Sequence, residues 1–135
     1  MTFEPGPLLQ RNIALERVIW LVTVSPTGQP TSRPVWFVWD ESAFLIHAPP
    51  ESAKIRHLQV NPRSALHFNT DTDGEHVDVM FGRAEVWLDA PPPSECPGYL
   101  DKYAEDYPGI DHTVDSFDAA FSARLRIAPE RSWGH

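Results

Sequence analysis

Three basic residues in the first half of the chain could together bind an anion. Lys54 and Arg56 follow Ser52 at the start of a predicted helix, and Arg33 lies earlier, on a predicted strand. Basic side chains are unfavourable at a helix N-terminus, where unpaired N–H groups already carry partial positive charge, unless an anion is bound there. The alternative is a solvated helix face, and the local sequence leaves both interpretations open.

Basic residues are scarce in this chain, which makes the group conspicuous. The 135 residues include 19 acidic and 11 basic ones, giving a formal net charge of −8, and only two of the basic residues are Lys. Affinity for nucleic-acid backbones comes from Lys and Arg side chains that neutralise phosphates, so this balance argues against a nucleic-acid partner. In an acidic protein, a local cluster of cations at a helix start predicts a small anionic ligand.

Other reactive residues give no catalytic or metal-binding pattern. Cys96 is the single cysteine, which excludes an intramolecular disulfide and a cysteine-rich zinc site. The six histidines and the carboxylates show no spacing typical of metal ligands, so we predict no metal. No catalytic residue is assigned. His47 and His67, on predicted strands, are candidates for a proton donor, although a structural role is the alternative for each.

The pattern of apolar residues predicts mostly β-strands. Six strands are predicted, at residues 16–24, 31–40, 42–48, 63–70, 76–89 and 121–127. Helices are predicted at residues 51–60, 95–107 and, as a short turn, 115–120. Pro34 costs its strand a ladder hydrogen bond and predicts an edge, a bulge or a place where another group approaches the backbone, while Gly82 predicts a bulge or bend. Together these elements predict a small, mainly antiparallel β-barrel with helical insertions.

The chain has the length and composition of one domain. We expect residues 1–135 to form a single unit, with an N-terminal arm at 1–12 and a C-terminal tail at 129–135. Trp20 and Trp87 lie in alternating strands and are predicted to be core residues. The longest apolar run, Val18–Val24, is far too short for a membrane helix, and the N-terminus shows no secretory leader, so we expect a cytoplasmic protein.

Several pieces in a fixed order carry a family resemblance. They are the turn G-Q-P, the strands SRPVWFVWD and AFLIHA, the helix ESAKIRHLQVNPR, the strand SALHF and a long strand containing FGRAEV. This order resembles the pyridoxamine 5'-phosphate oxidase-like, FMN-binding split β-barrel superfamily. Within it, the chain most resembles the actinobacterial branch of enzymes that depend on the deazaflavin coenzyme F420. The resemblance implies a six-stranded antiparallel split β-barrel of Greek-key type, with a crossover helix and a C-terminal helix.

The resemblance also implies where a cofactor phosphate would bind. Carried over to this sequence, Ser52 and Lys54 would contact the phosphate, and Arg33 would reach it from the second strand. Arg56 is a further candidate. A phosphate at this helix start would remove the unfavourable placement of the cations, which agrees with the interpretation from the residues alone.

The ring of the cofactor is expected to lie in a groove between two protomers. The backbone of Pro34, Val35 and Trp36 would run along the ring, where main-chain N–H and C=O groups can pair with its polar edge. Trp133, near the C-terminus, would close the partner's cofactor pocket. The resemblance therefore implies a homodimer that takes a small-molecule substrate.

The activity implied is transfer of a hydride between coenzyme F420 and a small unsaturated or quinone-like organic substrate. FMN-dependent oxidases of this superfamily resemble R-x-V-L-x-K at the second strand, whereas this chain has R-P-V-W-F-V from Arg33 to Val38 and lacks the terminal Lys. That departure counts against FMN, which remains the alternative cofactor. Haem, for which no axial ligand is assigned, and a non-catalytic cofactor-binding role also remain open. The substrate itself is not predicted.

Overall fold

The structure, a computed structural model, describes residues 3–134; residues 1, 2 and 135, at the outer ends of the predicted arm and tail, lie outside the described residues. Seven strands lie within the described part: β1 (Ile19–Val24), β2 (Pro30–Val35), β3 (Val38–Asp40), β4 (Ala43–Ala48), β5 (Arg63–His67), β6 (Asp78–Trp87) and β7 (Ala123–Gly134). Four α-helices accompany them: α1 (Pro7–Leu15), α2 (Ala53–Val60), α3 (Tyr99–Tyr103) and α4 (Val114–Ala120). Short 3₁₀ segments flank α3 at Pro93–Glu95 and Ala104–Ile110.

The strands form one antiparallel sheet in the order β2-β1-β5-β6-β7-β4-β3. β2 and β3 are the two outer strands, yet only Trp36 and Phe37 separate them in the chain. Three peptide steps span at most about 11 Å, so the two edges of the sheet must lie close together. The sheet therefore curls into a half-barrel. The predicted mainly β, antiparallel fold is confirmed, and Pro34 lies on an edge strand, one of the three placements predicted for it.

The count of six strands was wrong, because the predicted strand at 31–40 is two strands. Two side chains of α3 bind the backbone at the break. The Tyr103 hydroxyl accepts a hydrogen bond from the Phe37 N–H at 2.9 Å and donates one to the Arg17 carbonyl at 2.6 Å. Lys102 Nζ donates to the Phe37 carbonyl at 2.9 Å. These bonds satisfy backbone groups of Phe37 without a neighbouring strand, so the chain can leave one sheet edge and join the other.

Buried side chains form two clusters, one inside the half-barrel and one outside it. The barrel core includes Ile19, Leu21, Phe37, Phe44, Ile46, Leu66, Met80, Leu125 and Ile127. The outer core lies between β3 and β4 and the helices that follow β6, and it includes Val38, Leu45, Tyr99, Tyr103, Tyr107 and Phe117. The predicted helix at 95–107 is divided between α3 and its flanking 3₁₀ segments, but its tyrosines are buried on one side as its apolar stripe predicted.

The described parts of both predicted terminal segments contain regular structure. The N-terminal arm contains α1, which begins with Pro7 after Gly6, buries Leu9 and is tied to β6 by a hydrogen bond from Asn12 Nδ2 to Asp78 Oδ2 at 2.7 Å. The predicted tail continues β7, which pairs with β6 as far as Gly134. The expected bulge near Gly82 is confirmed, since the register of β6 and β7 shifts there.

No helix among residues 3–134 is both long enough and apolar enough to cross a membrane.

Candidate functional site

Two adjoining cavities lie where the edge strand β2 meets the start of α2. The basic cavity, of about 260 Å³, is lined by Arg33, Pro34, Lys54 and His57 together with residues of β1 and β2. The aromatic cavity, of about 370 Å³, lies between the strands and the helical layer. Pro34 and Lys54 line both cavities, so together they form one site with a cationic part and an apolar part.

Arg33 and Lys54 bring two positive charges together without a compensating carboxylate. Burial lowers the pKa of Lys54, and the nearby Arg33 guanidinium lowers it further. Neither side chain forms a salt bridge with any other residue of the described range 3–134. Arg33 donates to the carbonyl of its neighbour Ser32, at 3.0 Å. Paired cations of this kind are unfavourable on their own and become favourable when an anion binds between them.

The wall of the basic cavity also contains a polar group that sequence reasoning missed. Thr23 and Thr31 are cross-strand neighbours on β1 and β2, and their hydroxyls lie 3.1 Å apart. The Thr23 hydroxyl also lies 2.9 Å from His57 Nδ1 on α2. The spacing of two threonines around the hairpin turn could have indicated the cross-strand pair. The contact with His57 depends on where α2 packs, which the local sequence does not reveal.

The start of α2 has no side-chain cap. Ser52 is the N-cap residue, but its hydroxyl donates to the Pro49 carbonyl at 2.8 Å and does not accept from the helix. The first turn contains no acidic residue, so its free N–H groups add to the positive charge beside Lys54. Ser52 and Arg56 both lie at this helix start, but neither of them lines either cavity. Arg56 is exposed and donates a hydrogen bond to the Glu51 carbonyl.

The aromatic cavity has one wall from β2 and one from the helical layer. Pro34, Val35 and Trp36 line the first wall, and their role beside a cofactor ring stays a prediction. The other side carries aromatic side chains from the last third of the chain: Tyr99, Phe117 and Phe121. Trp36 is stacked on Tyr103 at 4.4 Å between ring centroids, with 4° between the ring planes. Its indole therefore packs against the outer core.

His47 is a buried polar residue in the wall of the aromatic cavity. Its side chain lies on β4, only 5% of the residue is exposed, and the edge of its ring meets Tyr99 at 5.3 Å between centroids. Both ring nitrogens are buried. Burial lowers the pKa of His47 to about 4, although the nearby Pro91 carbonyl opposes that shift. His47 is therefore neutral at neutral pH and is not an imidazolium acid, which counts against the proton-donor role considered for it.

Trp133 lies on β7 opposite Val79 and lines neither of the two cavities. It is 61% exposed. Its suggested role concerns a partner's pocket and stays a prediction. Within the described part of the chain, no group of three or more His, Cys, Asp or Glu side chains could hold a metal ion.

These features define the class of the protein. A curled antiparallel sheet whose edge strand and crossover helix flank a basic and an aromatic cavity is consistent with a split β-barrel. The family model described as pyridoxamine 5'-phosphate oxidase matches residues 7–133. The chain belongs to this family. No curated protein is significantly similar to the chain in sequence.

Solved structures with the same fold differ in what their names say they do. An F420 reductase is similar with a TM-score of 0.76 at 23% identity, covering 96% of this chain and 98% of the other. HutZ, a haem storage protein from Vibrio cholerae, has a TM-score of 0.69 at 17% identity, covering 99% and 95%. A conserved hypothetical protein from Mycobacterium tuberculosis has a TM-score of 0.68 at 19% identity, covering 99% and 87%. At these identities the likeness concerns the fold alone.

Proposed function

We propose that this protein is an oxidoreductase that transfers a hydride between the deazaflavin coenzyme F420 and a small unsaturated or quinone-like organic substrate. The observation that carries the proposal is the pair Arg33 and Lys54, which has no carboxylate partner and lies where the basic and aromatic cavities meet. A ligand that fits both parts has an anionic group beside a planar apolar ring. Phosphorylated flavins and deazaflavins have this form.

Arg33, Lys54 and the uncapped first turn of α2 would hold the phosphate. Ser52 lies at the same helix start, and Arg56, on the exposed face of the helix, is a further candidate for a phosphate contact. Pro34, Val35 and Trp36 would line the ring, and the aromatic side chains opposite would keep water away from it.

When bound, a deazaflavin supplies a carbon centre that gives or takes two electrons as hydride. The chain's own contribution is to orient the reactants and exclude water.

FMN is the alternative cofactor, and one residue argues against it. Val38 occupies the position at which FMN-dependent relatives of this pattern carry a lysine, and Val38 is buried in the outer core. No cation can act on a phosphate from that position. The F420 reductase with the same fold is consistent with the deazaflavin choice. Haem binding, the property named for HutZ, is the third candidate, but no axial ligand is assigned. A non-catalytic role in binding the cofactor would use the same residues.

We further propose that two copies of the chain form a homodimer around the site, with Trp133 of one protomer covering the cofactor of its partner. The long β6 and β7 strands hold Trp133 at a fixed position near the end of the sheet, so it can act as a rigid contact rather than a loose tail.

Cofactor titration tests the proposal. Purified protein is titrated with F420, with FMN and with the phosphate-free deazaflavin chromophore, using fluorescence as the readout. Lys54→Met should weaken F420 binding about tenfold or more, since a charge-assisted hydrogen bond contributes about 1.5 to 3 kcal/mol. It should change binding of the phosphate-free chromophore much less.

Arg83→Met is the matched control, because it also removes one positive charge but lies on β6, away from both cavities. An equal loss in both variants would mean that only net charge matters. Preferential binding of FMN by the unmodified protein would instead favour the alternative cofactor. Turnover with a panel of quinones and enones then separates an enzyme from a cofactor-binding protein.

A further inference from the structure

Each cation of the basic cavity is accompanied by a polar side chain on the same element. Thr31 and Arg33 are two residues apart on β2, so their side chains lie on the same face of the sheet. Lys54 and His57 are three residues apart on α2, so they lie on the same side of the helix. All four residues line the basic cavity.

Thr23 joins the two polar side chains into one chain of hydrogen bonds. Its hydroxyl lies 3.1 Å from Thr31 Oγ1 and 2.9 Å from His57 Nδ1. Thr23 occupies an inward position of β1 and is only 2% exposed, so its hydroxyl depends on these two partners. The three side chains make no other hydrogen bond within residues 3–134. They therefore act as one unit.

The direction of these hydrogen bonds depends on the proton at His57 Nδ1. The Thr23 hydroxyl has a single hydrogen, so it donates to one neighbour and accepts from the other. When Nδ1 lacks a proton, Thr23 donates to His57 and Thr31 donates to Thr23. When Nδ1 carries a proton, His57 donates to Thr23 and Thr23 donates to Thr31, which leaves the Thr31 hydrogen available to a ligand. A doubly protonated imidazole donates from both nitrogens, so it permits only the second arrangement.

We infer that the Thr31 hydroxyl makes a third contact to an anion in the basic cavity, and that protonation of His57 strengthens this contact through Thr23. The inference rests on the proposed function in treating the basic cavity as the anion-binding part of the site. His57 acts through the two threonines and is thus a positioning residue. The contact adds a hydrogen bond to those of the two cations and makes the affinity for the anion depend on pH.

The charged side chains that line the basic cavity beside His57 are positive. Arg33 comes from β2 and Lys54 from α2, while β1 contributes the uncharged Leu21 and Thr23. No Asp or Glu of the described chain lines this cavity. A bound anion favours a positive charge beside it, so anion binding and protonation of His57 strengthen each other. Because histidine ordinarily changes its charge between about pH 5 and about pH 8, the affinity should rise as the pH falls through this range.

Inorganic sulfate is the probe, because its own charge does not change over this range of pH. Its binding is followed by the NMR shifts of backbone amides around the basic cavity, at constant ionic strength, at about pH 7.5 and about pH 5.5. The measured quantity is the ratio of the two dissociation constants. For the unmodified protein we expect binding about threefold to tenfold tighter at the lower pH, as for the gain of one hydrogen bond.

Thr31→Val removes the donor but keeps the shape of the side chain and the charge of His57, so it should reduce this rise to less than about twofold. His57→Gln keeps a partner for Thr23 but does not titrate, and should have the same effect. Thr27→Val is the matched control, because Thr27 lies in the hairpin turn and lines neither cavity. It should keep the full rise. Thermal unfolding checks that each variant is folded.

A full rise in Thr31→Val or in His57→Gln would overturn the inference. So would a lack of any rise in the unmodified protein, or no measurable binding of sulfate at either pH.

The same comparison with F420 separates this inference from the proposed function. Any titration of the coenzyme itself cancels when a variant is compared with the unmodified protein. If F420 binds and the pH ratios of the unmodified protein and Thr31→Val are equal, the inference fails while the proposed function stands. If F420 and FMN both fail to bind but the sulfate ratio depends on Thr31 and His57, the proposed function fails while the inference stands.

Discussion

The break between β2 and β3 depends on the Tyr103 hydroxyl, so Tyr103→Phe should destabilise the protein substantially. The hydroxyl accepts from the Phe37 N–H in a buried bond and donates to the partly buried Arg17 carbonyl. Each buried group left without its partner costs about 1 to 3 kcal/mol. The Phe37 bond is fully buried and the Arg17 bond is not, so we expect the free energy of unfolding to fall by about 2 to 4 kcal/mol. The ring that stacks on Trp36 is retained.

Urea unfolding measures this loss as a lower midpoint with an unchanged slope. Tyr107→Phe is a matched control, because the Tyr107 hydroxyl is buried and has no hydrogen-bond partner among residues 3–134. Removing that hydroxyl should be neutral or slightly stabilising. Equal losses of unfolding free energy in the two variants would refute the reasoning. The effect would then come from removing any buried tyrosine hydroxyl and not from losing the hydrogen bond to the Phe37 backbone. An unaffected Tyr103→Phe would refute it as well.

Two further predictions concern His47 and Trp133. Because the pKa of His47 is lowered from 6.5 to about 4, its contribution to stability is complete above pH 6.5 and is lost as the pH falls to 4. At about 1.4 kcal/mol per pH unit this loss amounts to about 3 kcal/mol. The unfolding free energy of the unmodified protein, compared with that of His47→Leu, should therefore fall by about 3 kcal/mol between pH 7 and pH 4. A difference between the two proteins that stays constant over this range would contradict the prediction. Trp133→Ala should weaken F420 binding about twofold to tenfold, as for loss of an aromatic contact, and light scattering of the unmodified protein should find a dimer. A monomer that binds F420 normally would exclude the shared site.

Alternating apolar residues were sufficient to locate most strands, because a half-buried strand requires that pattern. The pattern misleads in the segment 31–40, because the alternation continues unbroken through Phe37 although the strand is interrupted there. The interruption is caused by Tyr103 and Lys102, more than 60 residues later in the chain. A contact between such distant residues has no local signature, so the count of six strands could not have been corrected from the sequence.

The two tryptophans predicted as core residues show a related limit. Trp87 is 49% exposed, and Arg124 lies over its ring at 5.0 Å. On β6 the inward positions are the even-numbered ones, Met80 and Ala84 among them, so Trp87 points outward. Apolar residues occupy both faces of this strand, and the sequence alone does not reveal which face is inside. Trp20 is only half-buried, and its indole N–H donates to Asn69 Oδ1 at 2.8 Å.

The two parts of the candidate site differ in how far the sequence could predict them. Arg33 and Lys54 were conspicuous because cations are rare here, and Lys54 also because a helix start is a poor place for a cation. The structure brings both to one cavity. His47 was noticed only as a possible proton donor, since its burial and its aromatic surroundings depend on how the helical layer covers β4.

Charge places a further constraint on how the proposed site would work. The net charge of −8 repels anionic ligands at a distance, but screening limits that repulsion to about 8 Å in physiological salt. Arg33 and Lys54 act within this range, so they can hold a phosphate without attracting anions over the whole surface. Affinity for the proposed coenzyme would then come from contact with these two side chains and from ring burial, and not from long-range steering. Binding specificity would follow from the same arrangement, because a free anion gains nothing from the aromatic cavity and an uncharged ring gains nothing from the basic one.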